Sequence, residues 1–454
     1  MKLTVIGGGG FRVPQIFQAI SAGDARLRVD ELWLYDVAEV RLDVIGHVLA
    51  QLAGELPRPP RVHTTTDLGA ALRDADFIFS AIRIGGTAGR IVDERTALRL
   101  GVIGQETVGP GGLAYALRTV PHALRLAERI AAEAPRAWTI NFTNPAGILT
   151  EAMRGVLGDR VVSICDTPIG LMRRAATAVG QDPRTVDFDY VGLNHLGWLR
   201  TLVVDGRDVL PELLASDERL DVMEEARLFG FDWVRALGAV PNEYLFYYYL
   251  HREALARISG GEPTRGEYLD AQQSGFYERA TAQPQRALAL WDATRHERES
   301  SYMNESRPPE ERHGRRAEDV EGGGYQEVAL DLMTGLATGE AATMILGVGN
   351  DARGGGELLV PQLSPGAVVE VPCTVDRDGV HPRAVAPLTG EMAGLVTTVK
   401  ASEQLVLAAL AEGSRELAWR AFANHPLVDS VAVARQLVED YCEAMPDVAA
   451  RLNT

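Results

Sequence analysis

A short apolar strand, Leu3–Ile6, runs straight into four consecutive glycines, Gly7, Gly8, Gly9 and Gly10, and helical spacing begins at Val13. Few folds use that order of parts, because a buried strand that ends in glycines and feeds a helix opens the first crossover of a parallel sheet. Further apolar runs follow at Glu31–Asp36, Asp76–Ala81, Trp138–Asn141 and Val161–Cys165, with a helical stretch through Leu52 after the second. Strands alternating with helices predict right-handed βαβ units. Their hydrophobicity is continuous rather than alternating, as burial on both faces requires. Residues 1–170 therefore read as a Rossmann-type parallel-sheet domain of an α/β fold.

Beyond residue 170 the pattern changes. Asp187–Asn194 and Trp198–Asp205 read as strands of a mixed sheet, and 222–300 as helix rich in Glu, Arg and Ala. Arg298–Gly324 is polar and glycine-rich and reads as a loop; 357–376 holds β-type runs, and the chain from about 388 onward is helical. No fixed-period repeat is visible. Residues 171–454 are expected to form an α+β domain carrying substrate, metal and oligomer contacts, with a cleft between the two domains.

Composition narrows the partners. With 46% hydrophobic residues the 454-residue chain is globular. Its net charge of −17 repels nucleic acid and anionic membrane. A small anion needs local arginines to overcome that field. Three cysteines, Cys165, Cys373 and Cys442, make no disulfide framework, as suits a reducing compartment. The apolar run before the glycines is too short for a secretory signal, and no run of eighteen apolar residues occurs. The expected location is the cytoplasm.

Glycines at 7–10 let the backbone approach a pyrophosphate and aim amides at it, helped by the helix dipole. A tight turn without a ligand is the competing reading, and the spacing departs from strict GxGxxG. Asp36 ends the second strand, where an acid accepts from ribose hydroxyls and repels a 2′-phosphate, so NAD is favoured over NADP. Cys165-Asp166 follows an apolar strand and Asn194-His195 lies in VGLNHLGW. A thiolate and an imidazole can share a divalent metal, with substrate oxygens and water completing the shell. On spacing alone, a buried thiol and a satisfied core histidine explain that pair better.

The blocks GGGGFRVP (7–14), GVIGQETVGPGG (101–112), NFTNPAG (141–147), CDTPIG (165–170), GLNHLGW (192–198) and PNEYLFYY (241–248) occur in one order along nearly the whole chain. In these blocks the sequence resembles glycoside hydrolase family four. The resemblance implies a chemistry unlike that of two-carboxylate glycosidases: oxidation, elimination, addition and reduction. NAD takes hydride from sugar C3 and later returns it, and a divalent metal, usually manganese, stabilises the intervening enolate. It further implies Cys165 and His195 as metal ligands and Tyr244 as the base for the C2 proton. Glu106 supports that base, and Asp166 protonates the departing oxygen. Tyr244 is one of five tyrosines between 244 and 268, so Tyr247 and Tyr248 remain alternatives.

Arg90, Asn144 and Arg265 match the family's contacts to substrate and its 6-phosphate, which suits arginine's planar fork. Arg83, in AIRIGG, is a second candidate in the same loop as Arg90. The implied substrate is a phosphorylated disaccharide or aryl glycoside 6-phosphate, and the implied assembly a homodimer or homotetramer. Cys165-Asp166 resembles the 6-phospho-α-glucosidase branch, but Thr167 departs from it. The blocks at 294–307, 322–333 and 367–382 resemble 6-phospho-β-glucosidases, which is the branch expected here. Two other classes share parts of the pattern. A 2-hydroxy-acid dehydrogenase would release NADH and has no need of Cys165; an NAD-sensing regulator has no need of Cys165, Asp166, His195 and Tyr244 together.

Overall fold

The computed structural model describes residues 1–260, 263–302 and 324–452. Five of the expected runs form a parallel set: β1 (Lys2–Ile6), β2 (Glu31–Tyr35), β4 (Phe77–Ser80), β5 (Trp138–Asn141) and β6 (Val161–Ser163). Between β2 and β4 lies β3 (Arg61–Thr65), whose sequence RVHTT gave no apolar signal because it is the half-exposed edge of the sheet. The order β3-β2-β1-β4-β5-β6 is that of a doubly wound dinucleotide fold, with the strand order reversing between β1 and β4. β4 is buried at all four positions, as the apolar run Phe77–Phe79 requires.

The sheet does not stop at β6. It continues antiparallel through β11 (Ala342–Gly349), β12 (Val368–Asp376), β7 (Asp187–Leu193), β8 (Leu196–Val204) and β10 (Val240–Pro241). β9 (Arg207–Asp208) and β13 (Gly379–Pro382) pair with β8 and β12. The junction is the pairing of Gly347 with Ser163. A Cβ at Gly347 would stand 1.9 Å from the Ser163 hydroxyl, so any larger residue there would have to displace that hydroxyl. One sheet thus crosses residue 170, the boundary expected from sequence.

The stretch 222–300 is mostly helical but is interrupted at β10 and at a 3₁₀ turn, Glu243–Leu245. Its two long helices, Arg265–Ala282 and Ala287–Ser300, pack over the helices of the parallel half. The second runs to Ser300, so the loop expected from Arg298 begins later; 303–323, with the end of the block at 294–307 and the start of that at 322–333, lies outside the described residues. Of the C-terminal helices, Gly390–Glu412, Arg415–Asn424 and Pro446–Arg451 return to the long helix Gly109–Glu133, and Val431–Ala444 packs on Gly86–Arg99. Leu113, Leu117 and Val120 share one buried cluster there with Val406, Phe422 and Tyr441. Truncating a fully buried aromatic such as Phe422 costs roughly 3–5 kcal/mol. All three cysteines are free and buried. Among the described residues, no helix is long and apolar enough to cross a membrane.

Candidate active site

A cavity of about 1690 Å³ opens where the parallel strands end. It is lined by Gly7, Gly10, Asp36, Arg90, Glu106, Asn144, Cys165, Asp166, His195, Tyr244 and Arg265. Gly8 and Gly9 sit behind this wall, buried. Residues from nine separate segments of the chain are thus brought together, where the strand ends, the β7–β8 turn and the helices packed over them converge.

The glycine turn is shaped by crowding. Gly7 has φ +90°, and a Cβ would stand 2.5 Å from the Ala81 carbonyl oxygen; one at Gly8 would strike Leu34. The amides are not presented as expected, however. Gly7 and Gly8 donate to the Tyr35 carbonyl and Gly10 donates to Gly7. Gly9 donates to Asp36 Oδ2 at 3.0 Å, while Ala38 donates to Oδ1. The glycines therefore set the close approach of the strands. The amides at the helix mouth are those of Phe11 and Arg12, ahead of helix Val13–Ser21. Three side chains from the second half hold this turn through its carbonyls: Tyr277 donates to Gly9 at 2.6 Å, Trp291 to Phe11 at 2.8 Å and Tyr325 to Arg12 at 2.7 Å.

Cys165 directly precedes the helix Asp166–Ala178, its sulfur 3.3 Å from the Thr167 hydroxyl. Burial, then the charges of Asp166 and Glu370, push its thiol up; a bound cation would reverse that. His195 occupies the two-residue turn between β7 and β8 with φ +63°, a left-handed conformation uncommon outside glycine. Burial lowers its pKa to about 4 against the pull of Glu106, so the imidazole is neutral, as a metal ligand must be. Its ring stacks on Tyr244, centroids 3.7 Å apart. Burial and then Glu243 push the Tyr244 phenol up, so it needs a nearby cation to ionise.

Glu106 does not meet Tyr244 through a hydrogen bond. Its carboxylate pairs with Arg83 at 2.5 Å and Arg90 at 2.9 Å. Burial alone would raise its pKa, but the two arginines outweigh burial and hold it at about 2. The hydroxyl of Tyr244 instead lies 3.0 Å from that of Tyr302, which donates to Glu243 at 2.8 Å. Tyr247 also lines the cavity; Tyr248 stands off it, beside His425. Arg90 gives its Nε to Glu94 at 2.6 Å, so two carboxylates already hold it. The helix start at Arg265 offers no spare amides of Gly266 and Glu267, which donate to Glu94 and Thr264.

Among the cavity arginines absent from the sequence reading are Arg12, in the glycine block, and Arg298. Burial, then Arg12, Arg265 and Arg90, hold the Arg298 pKa well below the usual arginine value. Cations so crowded are stabilised by an anion in their midst. Each lies within a block already singled out, Arg12 in GGGGFRVP, Glu243 in PNEYLFYY and Arg298 and Tyr302 in 294–307, but no local spacing marks them as site residues, since helix and turn bring them in from afar.

Among the described residues, no third His, Cys, Asp or Glu joins Cys165 and His195 in a group able to hold a metal. Two donors leave the remaining positions to substrate and water, which is the open arrangement of a catalytic site.

Comparison with known proteins agrees with this layout. Residues 2–181 match the family 4 glycosyl hydrolase model and 190–428 that of the family's C-terminal domain. A probable 6-phospho-β-glucosidase of Bacillus subtilis is 30% identical, covering 98% of this chain and 96% of that one. A phospho-α-glucosidase of Clostridium acetobutylicum is also 30% identical, covering 98% and 97%. The structure of the Thermotoga maritima 6-phospho-β-glucosidase with NAD and glucose 6-phosphate superposes with a TM-score of 0.81, at 26% identity over 99% of both chains. That protein is also solved with manganese, NAD and glucose 6-phosphate. Matched in both halves, this chain belongs to family 4 of the glycosyl hydrolases.

Proposed function

We propose that the protein hydrolyses 6-phospho-β-glucosides to glucose 6-phosphate and the free aglycone, with NAD and a divalent metal, manganese, as resident cofactors. The observation that carries this reading is the meeting of Cys165, neutral His195 and Tyr244 with the arginine cluster on one cavity wall, below the glycine turn. The cavity exceeds the roughly 300–1,000 Å³ of an ordinary ligand pocket and has room for a dinucleotide beside a sugar phosphate. The donor chemistry suits the metal: a thiol and an imidazole with an open remainder. When bound, NAD supplies a reversible hydride acceptor and the metal supplies a Lewis acid.

The chain's own residues then divide the work. Cys165 and His195 hold the cation, and Asp36 accepts from the ribose hydroxyls. Tyr244 takes the proton from sugar C2, while Asp166 protonates the departing glycosidic oxygen. Arg265 and Arg298 clamp the 6-phosphate, with Asn144 and Arg90 beside it. Glu106 balances Arg83 and Arg90 and keeps them in place. Tyr302 and Glu243 hold the hydroxyl of Tyr244 in position. Residues 1–170 carry the dinucleotide and 171–454 supply most of the substrate wall, in a homodimer or homotetramer.

Relatives carry both anomeric names, and the β reading rests on the blocks at 294–307, 322–333 and 367–382. Paired α- and β-nitrophenyl glucoside 6-phosphates, offered with manganese, NAD and a thiol, test it. Cleavage of the β compound is expected; cleavage of the α compound alone would overturn the anomeric assignment.

A further inference from the structure

We propose that Thr107 and Thr167 are positioning residues that turn the metal-facing lone pairs of His195 and Cys165 toward the cation. The proposal rests on reading that pair as the metal site. It follows from counting protons. The Gln105 side-chain oxygen accepts from the backbone amides of Thr107 at 2.6 Å and Val108 at 2.8 Å, which identifies it as the carbonyl end. It also lies 3.1 Å from the Thr107 hydroxyl, which must donate to it because a carbonyl has no proton to give. The same hydroxyl is 3.0 Å from His195 Nδ1. Having given its one proton to Gln105, Thr107 can only accept there, so Nδ1 carries the hydrogen. In a neutral imidazole Nε2 then bears the bare lone pair, the form a metal binds.

The thiol is held by the mirror-image device. Asn242 Oδ1 accepts the Tyr244 amide at 3.1 Å, so its other end is the NH₂. That NH₂ donates to the Thr167 hydroxyl at 2.8 Å. The Thr167 hydroxyl lies 3.3 Å from Cys165 Sγ with its own proton uncommitted, and toward a metal-bound thiolate, which has no proton, it can only donate. The coordinated sulfur is then the acceptor. One threonine accepts and the other donates, each oriented by a carboxamide, and each polarity matches the ligand it serves. Packing on Tyr244 fixes the imidazole plane but does not choose between its two nitrogens.

The test is direct metal binding by NAD-saturated protein. Free manganese is followed by electron paramagnetic resonance, and cobalt substitution reports the sulfur–metal charge-transfer band. Thr107→Val keeps the shape and removes the hydroxyl; it should weaken manganese binding roughly 10–100-fold while NAD affinity stays at the wild-type level. Thr107→Ser should restore binding to within a few-fold. Thr167→Val should shift the cobalt–sulfur band and weaken binding. Manganese bound equally by wild type and Thr107→Val overturns the proposal. If Thr107→Val loses NAD binding too, and so has not folded, Thr107→Ser and Thr107→Ala replace it. Serine must then bind manganese about tenfold more tightly than alanine, and equal affinities overturn the proposal. Cys165→Ser and His195→Ala are the controls. A wild type that binds no metal, like these two, sinks the metal reading and the relay with it.

Discussion

Glu106 sits between Arg83 and Arg90 with only 16% of its side chain exposed, and replacing it with glutamine isolates what that one charge contributes. Holding a carboxyl at about 2 in place of its ordinary 4.5 corresponds to about 3 kcal/mol of folding stability at neutral pH. Removing one partner of a buried ion pair costs a similar amount, about 3–5 kcal/mol, because the partner cations stay buried. A group whose folded pKa lies below its unfolded value stabilises above the unfolded value and loses that contribution as pH falls through the folded one. Glu106→Gln should therefore unfold at lower urea concentration than wild type near pH 7. The gap should hold down to about pH 5 and narrow below about pH 4.5, as the unfolded-state carboxyl begins to take up protons. Tryptophan fluorescence in urea series at these pH values measures it. Equal midpoints for the two proteins throughout would refute the view that Glu106 is the counter-charge of this cluster.

Extensively dialysed protein should need added NAD for turnover yet accumulate no NADH over many cycles; stoichiometric near-ultraviolet absorbance would instead mark a dehydrogenase. Cys165→Ser and His195→Ala should each lose metal-dependent cleavage while binding NAD normally, and wild-type activity that persists in EDTA with no metal present would contradict a catalytic ion. Arg265→Ala and Arg298→Ala should each lower kcat/KM for a phosphorylated glycoside roughly a hundredfold, the scale of a lost charge-assisted contact. Unchanged kinetics in both would remove the phosphate from that wall.

The central strands of the parallel half were legible because they are buried on both faces and so carry short apolar runs, as Phe77–Phe79 does. β3 was not, because an edge strand such as RVHTT needs no apolar face. β11 carries the readable run TMILGV but was passed over, and with it went the continuity of the sheet past residue 163. At the site, residues inside distinctive blocks were found, and Cys165, His195 and Tyr244 do share one wall. Their partners were harder to see. Tyr302 reaches Tyr244 from 58 residues away, and Trp291 reaches Phe11 across 280. Such contacts depend on how helices cross, and no local spacing encodes that. The glycine amides were misjudged for a related reason: a turn crowded against Leu34 and Ala81 uses its amides within the chain.

Turnover in D₂O tests most directly whether Tyr244 removes the proton from sugar C2. If the C2–H bond is broken, the released glucose 6-phosphate should carry deuterium at C2, and Tyr244→Phe should lose cleavage and exchange together, since phenylalanine keeps the stacking on His195 but has no base. A two-carboxylate glycosidase leaves that bond untouched. Wild-type product with protium fully retained at C2 by NMR would contradict the elimination chemistry; exchange that survives in Tyr244→Phe would move the base to Tyr247.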